Sequence, residues 1–241
     1  KLYPERAVVY YLLGDLYYKT KAYSRSENNL QKAIVLDKNN FWYKEKLYQL
    51  YVHTDDYNKA IAAVKPLLFK RQALKEDLVH LNVSAGHYEV ALKQIEKLDL
   101  QYGYTSERDQ FRVNIYLQTD NQNAHLQFLR KRFSESPENA QHFLNLIYSL
   151  SQYGRRDEAF IISKSFLKAH PKSHFAHVGL YKFYLDDKAY DKAIKSMKIV
   201  TTSNVLAPYI KAKVLSDFLH FVKDNPAYKA ALAEVEPTSS L

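Results

Sequence analysis

The sequence predicts an all-α protein built from a repeated pair of antiparallel helices, and three observations carry that reading. Glycine is scarce, 5 residues in 241, against an ordinary share of about 7 %. Doubly wound and β-rich folds spend glycine on turns and phosphate loops, so both are disfavoured. An aromatic residue followed three positions later by a small one recurs along the chain, and apolar residues between these marks fall at helical spacing. The apolar fraction of 46 % and charged fraction of 25 % are those of an ordinary globular chain. At this length a sizeable core is readily buried.

The clearest marks are Tyr23 to Ser26, Tyr57 to Ala60, Tyr88 to Ala91 and Tyr190 to Ala193, with weaker copies ending at Ala124 and Ala159. The small residues stand at 26, 60, 91, 124, 159 and 193, in steps of 34, 31, 33, 35 and 34. Two antiparallel helices approach closely only where a small side chain sits at their crossing, and larger apolar residues fill the space on either side. This period and pattern resemble the tetratricopeptide repeat. Ankyrin repeats are disfavoured because their Thr-Pro-Leu-His signature is missing, and HEAT units run longer. The resemblance covers about residues 7–207. It implies a right-handed α-solenoid of six to seven helix-turn-helix repeats, at about 7–40, 41–71, 72–104, 105–138, 140–173 and 174–207. The solenoid is expected to run to residue 224, with a short terminal helix and polar tail over 225–241.

Taken in order, the first pair carries Tyr10, Leu13, Gly14 and Tyr17 on one helix and Tyr23, Ser26, Leu30 and Ala33 on the next. The second pair has Leu47, Tyr48, Tyr51, Tyr57, Ala60 and Val64, with Tyr48 where the family usually has glycine. The third and fourth are the weakest copies. Asn82 stands where an aromatic is expected, and 101–105 form a longer joint at which an irregular stack is expected. The fifth pair gives Phe143, Leu146, Leu150, Gly154, Ala159 and Phe166, closed by Pro171. The sixth gives Leu180, Tyr181, Tyr184, Tyr190, Ala193, Met197 and Val200. Residues 209–222 read as another first helix, with 227–235, opening on Ala227, as its short partner or a capping helix, then a polar tail over 236–240. Pro4 stands where a preceding repeat would close, so the chain is expected to begin mid-repeat. Turns are expected near 20–22, 54–56, 85–87, 120–122, 154–156 and 186–188.

Composition excludes several chemistries. There is no cysteine, hence no disulfide, thiolate metal site or cysteine nucleophile. No apolar run approaches the ~20 residues that cross a bilayer, so a soluble chain is expected, in the cytoplasm or the periplasm. The net charge of +9 comes from 35 basic against 26 acidic residues. Most of the basic residues are lysines, and they are scattered, with the densest knots at 130–132 and 155–156. A solvated face is the favoured reading of those knots, and a nucleic-acid surface the minor one. The bias toward lysine, tyrosine and asparagine fits an AT-rich bacterial genome.

No phosphate loop, Gly-x-Gly-x-x-Gly, Gly-x-Ser-x-Gly or His-Glu-x-x-His motif occurs, so neither catalytic residues nor a cofactor are expected. The nearest approach to a metal set is His170, His174 and His177. The last two share a helical face, but Pro171 separates the first, and no carboxylate or thiolate lies at ligand spacing. The acidic pairs Asp55-Asp56, Asp157-Glu158 and Asp186-Asp187 are expected to cap the helices that follow them.

The resemblance also implies a site. In tetratricopeptide stacks the second, fifth, ninth, twelfth and thirteenth positions of each first helix face the concave groove. Here they give Val8, Tyr11, Asp15 and Tyr18, then Trp42, Glu45, Gln49 and His53, then Glu76 and His80. Asp109, Tyr116, Tyr148, Gln152, Phe175, Val178, Lys182 and Asp186 follow. This mixed aromatic and polar lining suits an extended peptide or a helix. The family's clamp for a C-terminal carboxylate is absent, because Tyr11 and Asp15 stand where it needs a basic residue and asparagine. The expected function is therefore a non-enzymatic protein-protein interaction scaffold. The alternatives are a helical-repeat RNA-binding protein and a regulatory domain of a larger protein. Trp42, the sole tryptophan, belongs either to the core or to an aromatic patch with Tyr11 and Tyr18, flanked by Asp15 and Glu45.

Overall fold

The computed structural model describes residues 6–234, and every regular element among them is a helix. Pro4, Val235 and the tail over 236–240 lie outside the described residues. The chain divides into two units, Lys1–Thr119 and Asp120–Leu241. The first holds α1 (Ala7–Lys19), α2 (Tyr23–Leu36), α3 (Phe41–His53), α4 (Tyr57–Val64), α5 (Leu74–Ser84), α6 (Tyr88–Tyr102) and α7 (Ser106–Gln118). The second holds α8 (Gln122–Glu135), α9 (Ala140–Gln152), α10 (Arg156–Ala169), α11 (His174–Asp186), α12 (Tyr190–Thr201), α13 (Pro208–Asp224) and α14 (Lys229–Ala233). The breaks fall where the sequence places the turns. Among the described residues no helix is long and apolar enough to cross a membrane.

The repeat is written into the turns. Lys21, Asp55, Gly86, Asp120, Gly154 and Lys188 all have left-handed backbone, with φ of 61°, 55°, 75°, 48°, 73° and 59°. In the first turn the Lys21 N–H donates to Tyr18 O at 3.0 Å and the Ala22 N–H to Tyr17 O at 2.8 Å. These two bonds make a Schellman motif, which satisfies carbonyls that the helix end would otherwise leave open. The same long bond recurs from Asp56, His87, Arg155 and Ala189.

Three residues into each second helix stands the crossing residue. Ser26, Ala60, Ala91, Ala159 and Ala193 are all fully buried. Close approach is most explicit in the first pair, where a Cβ on Gly14 would stand 2.7 Å from Leu30 Cγ. There the Ser26 hydroxyl donates to Gly14 O at 2.7 Å. The fourth copy corrects the sequence reading. Ala124 is only half-buried, whereas His125, three residues into α8 as the other crossing residues are in their helices, is buried and lies 2.8 Å from the Tyr153 hydroxyl. The steps then become 34, 31, 34, 34 and 34, matching those of the left-handed turn residues.

The joint at 101–105 is ordered by ion pairs. Gly103, at φ 79°, turns the chain, and the Thr105 hydroxyl accepts from the Arg108 N–H at 3.2 Å. The Arg108 side chain is 2 % exposed and donates to Asp99 at 2.6 Å, to Glu76 at 2.5 Å and to Gly103 O. Arg112 donates to the same Asp99. A buried arginine is tolerated only with such partners.

Of the three acidic pairs, one caps as expected: Asp56 accepts from the Lys59 N–H. The other two are corrections. Glu158 lies inside the first turn of α10 and pairs with Arg130 and Arg155, each at 2.6 Å. Asp187 follows α11 and holds Arg156 at 2.7 Å, while Ala189 occupies the cap of α12. Neither carboxylate stands at an N-cap, since Arg155 and Ala189 hold those positions, and each pairs with an arginine within reach instead. At the end of the second unit α14 lays Leu232 into the core of α12 and α13, whereas Ala227 is exposed and makes no crossing.

Candidate functional site

In the first unit α1 and α3 bring their facing side chains together. The Tyr11 ring stacks on Tyr43 at 4.9 Å. Asp15 accepts from Lys19 at 2.7 Å and from Lys46 at 2.6 Å, and these bonds hold its carboxyl below the usual carboxylate range. The Lys46 ammonium also lies 4.3 Å from the centre of the Tyr18 ring, a cation–π contact. Tyr18 meets His53 edge-on at 5.3 Å, and His53 Nε2 is 3.0 Å from the Tyr23 hydroxyl. Asp15, Tyr18 and His53 thus form one network joined through Lys46, with the Tyr11–Tyr43 stack on the same two helices.

Trp42 stands apart from it. Its indole is 64 % exposed and meets Phe41 edge-on at 5.8 Å, while Asn40 caps its backbone N–H at 3.1 Å. The core reading of Trp42 fails on that exposure. The expected contact with Tyr11 and Tyr18 also fails, because Tyr43, one residue on, points to α1 instead. Glu45 is buried and accepts from Arg71, and Gln49 is exposed. Neither Asp15 nor Glu45 is therefore a free carboxylate beside the indole. Along α5 and α7, Glu76 is held by Arg108, and His80 meets Phe111 edge-on at 5.8 Å. Tyr116 is half-buried, and burial raises its phenol pKa.

The second unit presents Tyr148, 59 % exposed, with Lys213 Nζ 5.8 Å from its ring centre. Gln152 is exposed, and Lys182 pairs with Asp186 at 3.5 Å. Phe175 lines an open cavity of about 530 Å³ with Phe166, His170, Pro171 and Lys172. The three histidines are engaged separately: His174 with the Ser203 hydroxyl at 2.6 Å, His177 with that of Ser196 at 3.0 Å, and His170 against the Phe166 ring.

No family model and no curated protein matches the sequence. Among solved structures the chain is similar to one in the complex of Naa15/Naa10 bound to HypK-THB. The TM-score is 0.55 at 16 % identity, over 96 % of this chain and 39 % of that one. It thus spans well under half of the matched protein. A tetratricopeptide repeat protein from Parabacteroides merdae matches over 97 % of this chain and 94 % of its own, at 14 % identity and TM-score 0.43. The P58(IPK) TPR domain matches at 13 % identity and TM-score 0.39, over 91 % and 66 %. Helix pairs on a step near 34 residues, each turned by a left-handed residue and most of them crossed at a small one, are the pattern of this repeat. The fold is that of the tetratricopeptide repeat.

The tetratricopeptide register finds the first-helix residues but not the partners that engage them. Tyr43, Lys46, Arg71 and Asp99 were all missed. Lys46 had one available signal: a basic residue one helical turn beyond Trp42, in a helix facing Asp15 of its neighbour.

Proposed function

We propose that the chain is a non-enzymatic protein-interaction scaffold that binds a peptide or protein segment along its first helices. The observation that carries the reading is the presence of large, exposed aromatics on first helices, Trp42 and Tyr148, the second with the Lys213 ammonium near its ring. Aromatic anchors with a polar rim are where binding energy concentrates. The internal pairing of Asp15 and Glu45 argues for apolar anchoring at Trp42 rather than attraction of a basic segment.

Affinity capture from the native extract, with intact protein as bait, tests this. Wild type is expected to retain a protein that Trp42→Ala or Tyr148→Ala retains less well, by more than about 1 kcal/mol for the stronger anchor. Both melting temperatures should stay nearly unchanged. Equal recovery by all three baits overturns the anchoring, and a nuclease-sensitive capture with a steep salt slope would assign the chain to nucleic acid instead.

A further inference from the structure

The second helices of the first unit, α2, α4 and α6, end on an apolar residue at one fixed place in the repeat. Counted from the crossing residue, positions +4 and +7 face inward: Leu30 and Ala33, Val64 and Leu67, Ile95 and Leu98 are all buried. Two residues further on the chain has turned by more than half a circle, whether as α-helix or as the 3₁₀ turn that ends α4. Position +9 therefore points to solvent, and it holds Val35, Phe69 and Leu100, which are 68 %, 77 % and 84 % exposed. In the second unit the same position holds Ser134, Lys168 and Thr202, all exposed. The fold thus accepts polar residues there, and an apolar row over three consecutive repeats marks a surface for contact.

A lysine stands one helical turn before each of these residues. Lys32, Lys65 and Lys97 are exposed, and none pairs with a carboxylate among the described residues; Lys32 lies over the Tyr10 ring at 5.6 Å. Beside Phe69, Lys70 Nζ is 5.8 Å from the centre of the ring. The carboxylates of these helices are engaged elsewhere. Glu27 accepts from Lys59 and the Tyr51 hydroxyl, Asp99 holds Arg108 and Arg112, and Glu96 acts on the Tyr116 phenol of α7. The residue types decide between a protein and a lipid partner. Protein interfaces are poor in lysine, whereas lysine beside a protruding apolar tip suits a layer of anionic headgroups, with the ammonium at the charged surface and the tip beneath it.

We propose that this row docks the first unit on an anionic lipid surface. Val35, Phe69 and Leu100 enter the boundary between headgroups and acyl chains, and Lys32, Lys65 and Lys97 meet the lipid phosphates. A lipid layer deforms round three separate tips and so needs no matching groove. The row lies on and just after second helices and shares no residue with the first helices, so this contact and the first-helix binding are tested by different variants.

The probe is a vesicle of phosphatidylcholine with about one-third phosphatidylserine, floated with the intact protein and compared with phosphatidylcholine alone. Partition into the anionic vesicles is expected to exceed that into the neutral ones about tenfold or more. Phe69→Ser/Leu100→Ser changes only exposed side chains, so its circular dichroism should match wild type, and its partition into anionic vesicles should fall at least about tenfold. Lys65→Gln/Lys97→Gln should erase most of the preference for the anionic vesicles. Lys168→Gln/Lys172→Gln removes the same charge from the second unit and should leave partition within about twofold of wild type. Absent binding to anionic vesicles, undiminished binding by the serine variant, or an equal loss in the Lys168/Lys172 variant overturns the proposal. So does a dimer in sedimentation that the serine variant dissolves, which would give the row to a second copy of the chain.

Discussion

At the scale of single residues, close packing and electrostatic pairing decide more than residue type does. Gly14 illustrates the first. In an open helix Gly→Ala is worth about 0.5–1 kcal/mol of stability, but here the new Cβ would meet Leu30 at 2.7 and 2.8 Å, and Leu30 is fully buried. Overpacking costs about 1–3 kcal/mol, so Gly14→Ala is expected to destabilise by a net ~1 kcal/mol in thermal melts; a raised melting temperature would mean that α1 and α2 separate easily. Trp42 illustrates the limit of sequence. Its position in the helix was legible, but Trp42 and Tyr43 differ by one step of about 100° round the axis, and that step decides which ring meets Tyr11. The pairing of Glu45 with Arg71 was illegible for another reason, since the arginine lies beyond a 3₁₀ turn (Lys65–Leu67) whose geometry sets its reach.

At the scale of elements, the α11–α12 pair holds its histidines in a way that makes it sensitive to acid. Burial lowers the pKa of His177, and His174 and Lys195 lower it further; burial also lowers that of His125. Such groups take up protons on unfolding, so their contribution to stability is complete above about pH 6.5 and is lost as pH falls toward the lowered folded values. Asp15 acts in a lower window, because its depressed pKa withdraws stability only as pH falls through the acidic range. Melting temperatures measured from pH 7.5 to pH 5 are expected to decline in wild type and to decline less in His177→Gln; parallel curves would show that His177 stays solvated. Helix existence, order and turns were legible here because the 34-residue step is enforced by the crossing residue. The exception is α8, where Ala124 and His125 are adjacent and only the start of the helix at Gln122 selects the histidine.

At the scale of the whole molecule, repeat architectures distribute stability over nearest-neighbour interfaces, and the two units give that a testable form. Ala60 and Ala193 are fully buried crossing residues, one in each unit. Leucine at either should cost about 1–3 kcal/mol. Hydrogen exchange should rise mainly within 1–119 for Ala60→Leu and within 120–241 for Ala193→Leu; equal loss of protection throughout both would mean that the chain unfolds as a single cooperative body. Circular dichroism should show helix without strand in wild type and both variants.

The left-handed turns leave thermal headroom in the chain. Two of the six are glycine, which adopts that backbone freely, but Lys21 and Lys188 hold it against the clash of their own Cβ, at about 1–2 kcal/mol each. Glycine loses part of that gain to the greater freedom of the unfolded chain. Lys21→Gly and Lys188→Gly should therefore each raise the melting temperature by roughly 1–2 °C. Because one turn lies in each unit, the two substitutions act as separate thermostats, by which the heat resistance of either half can be set without touching a helix face.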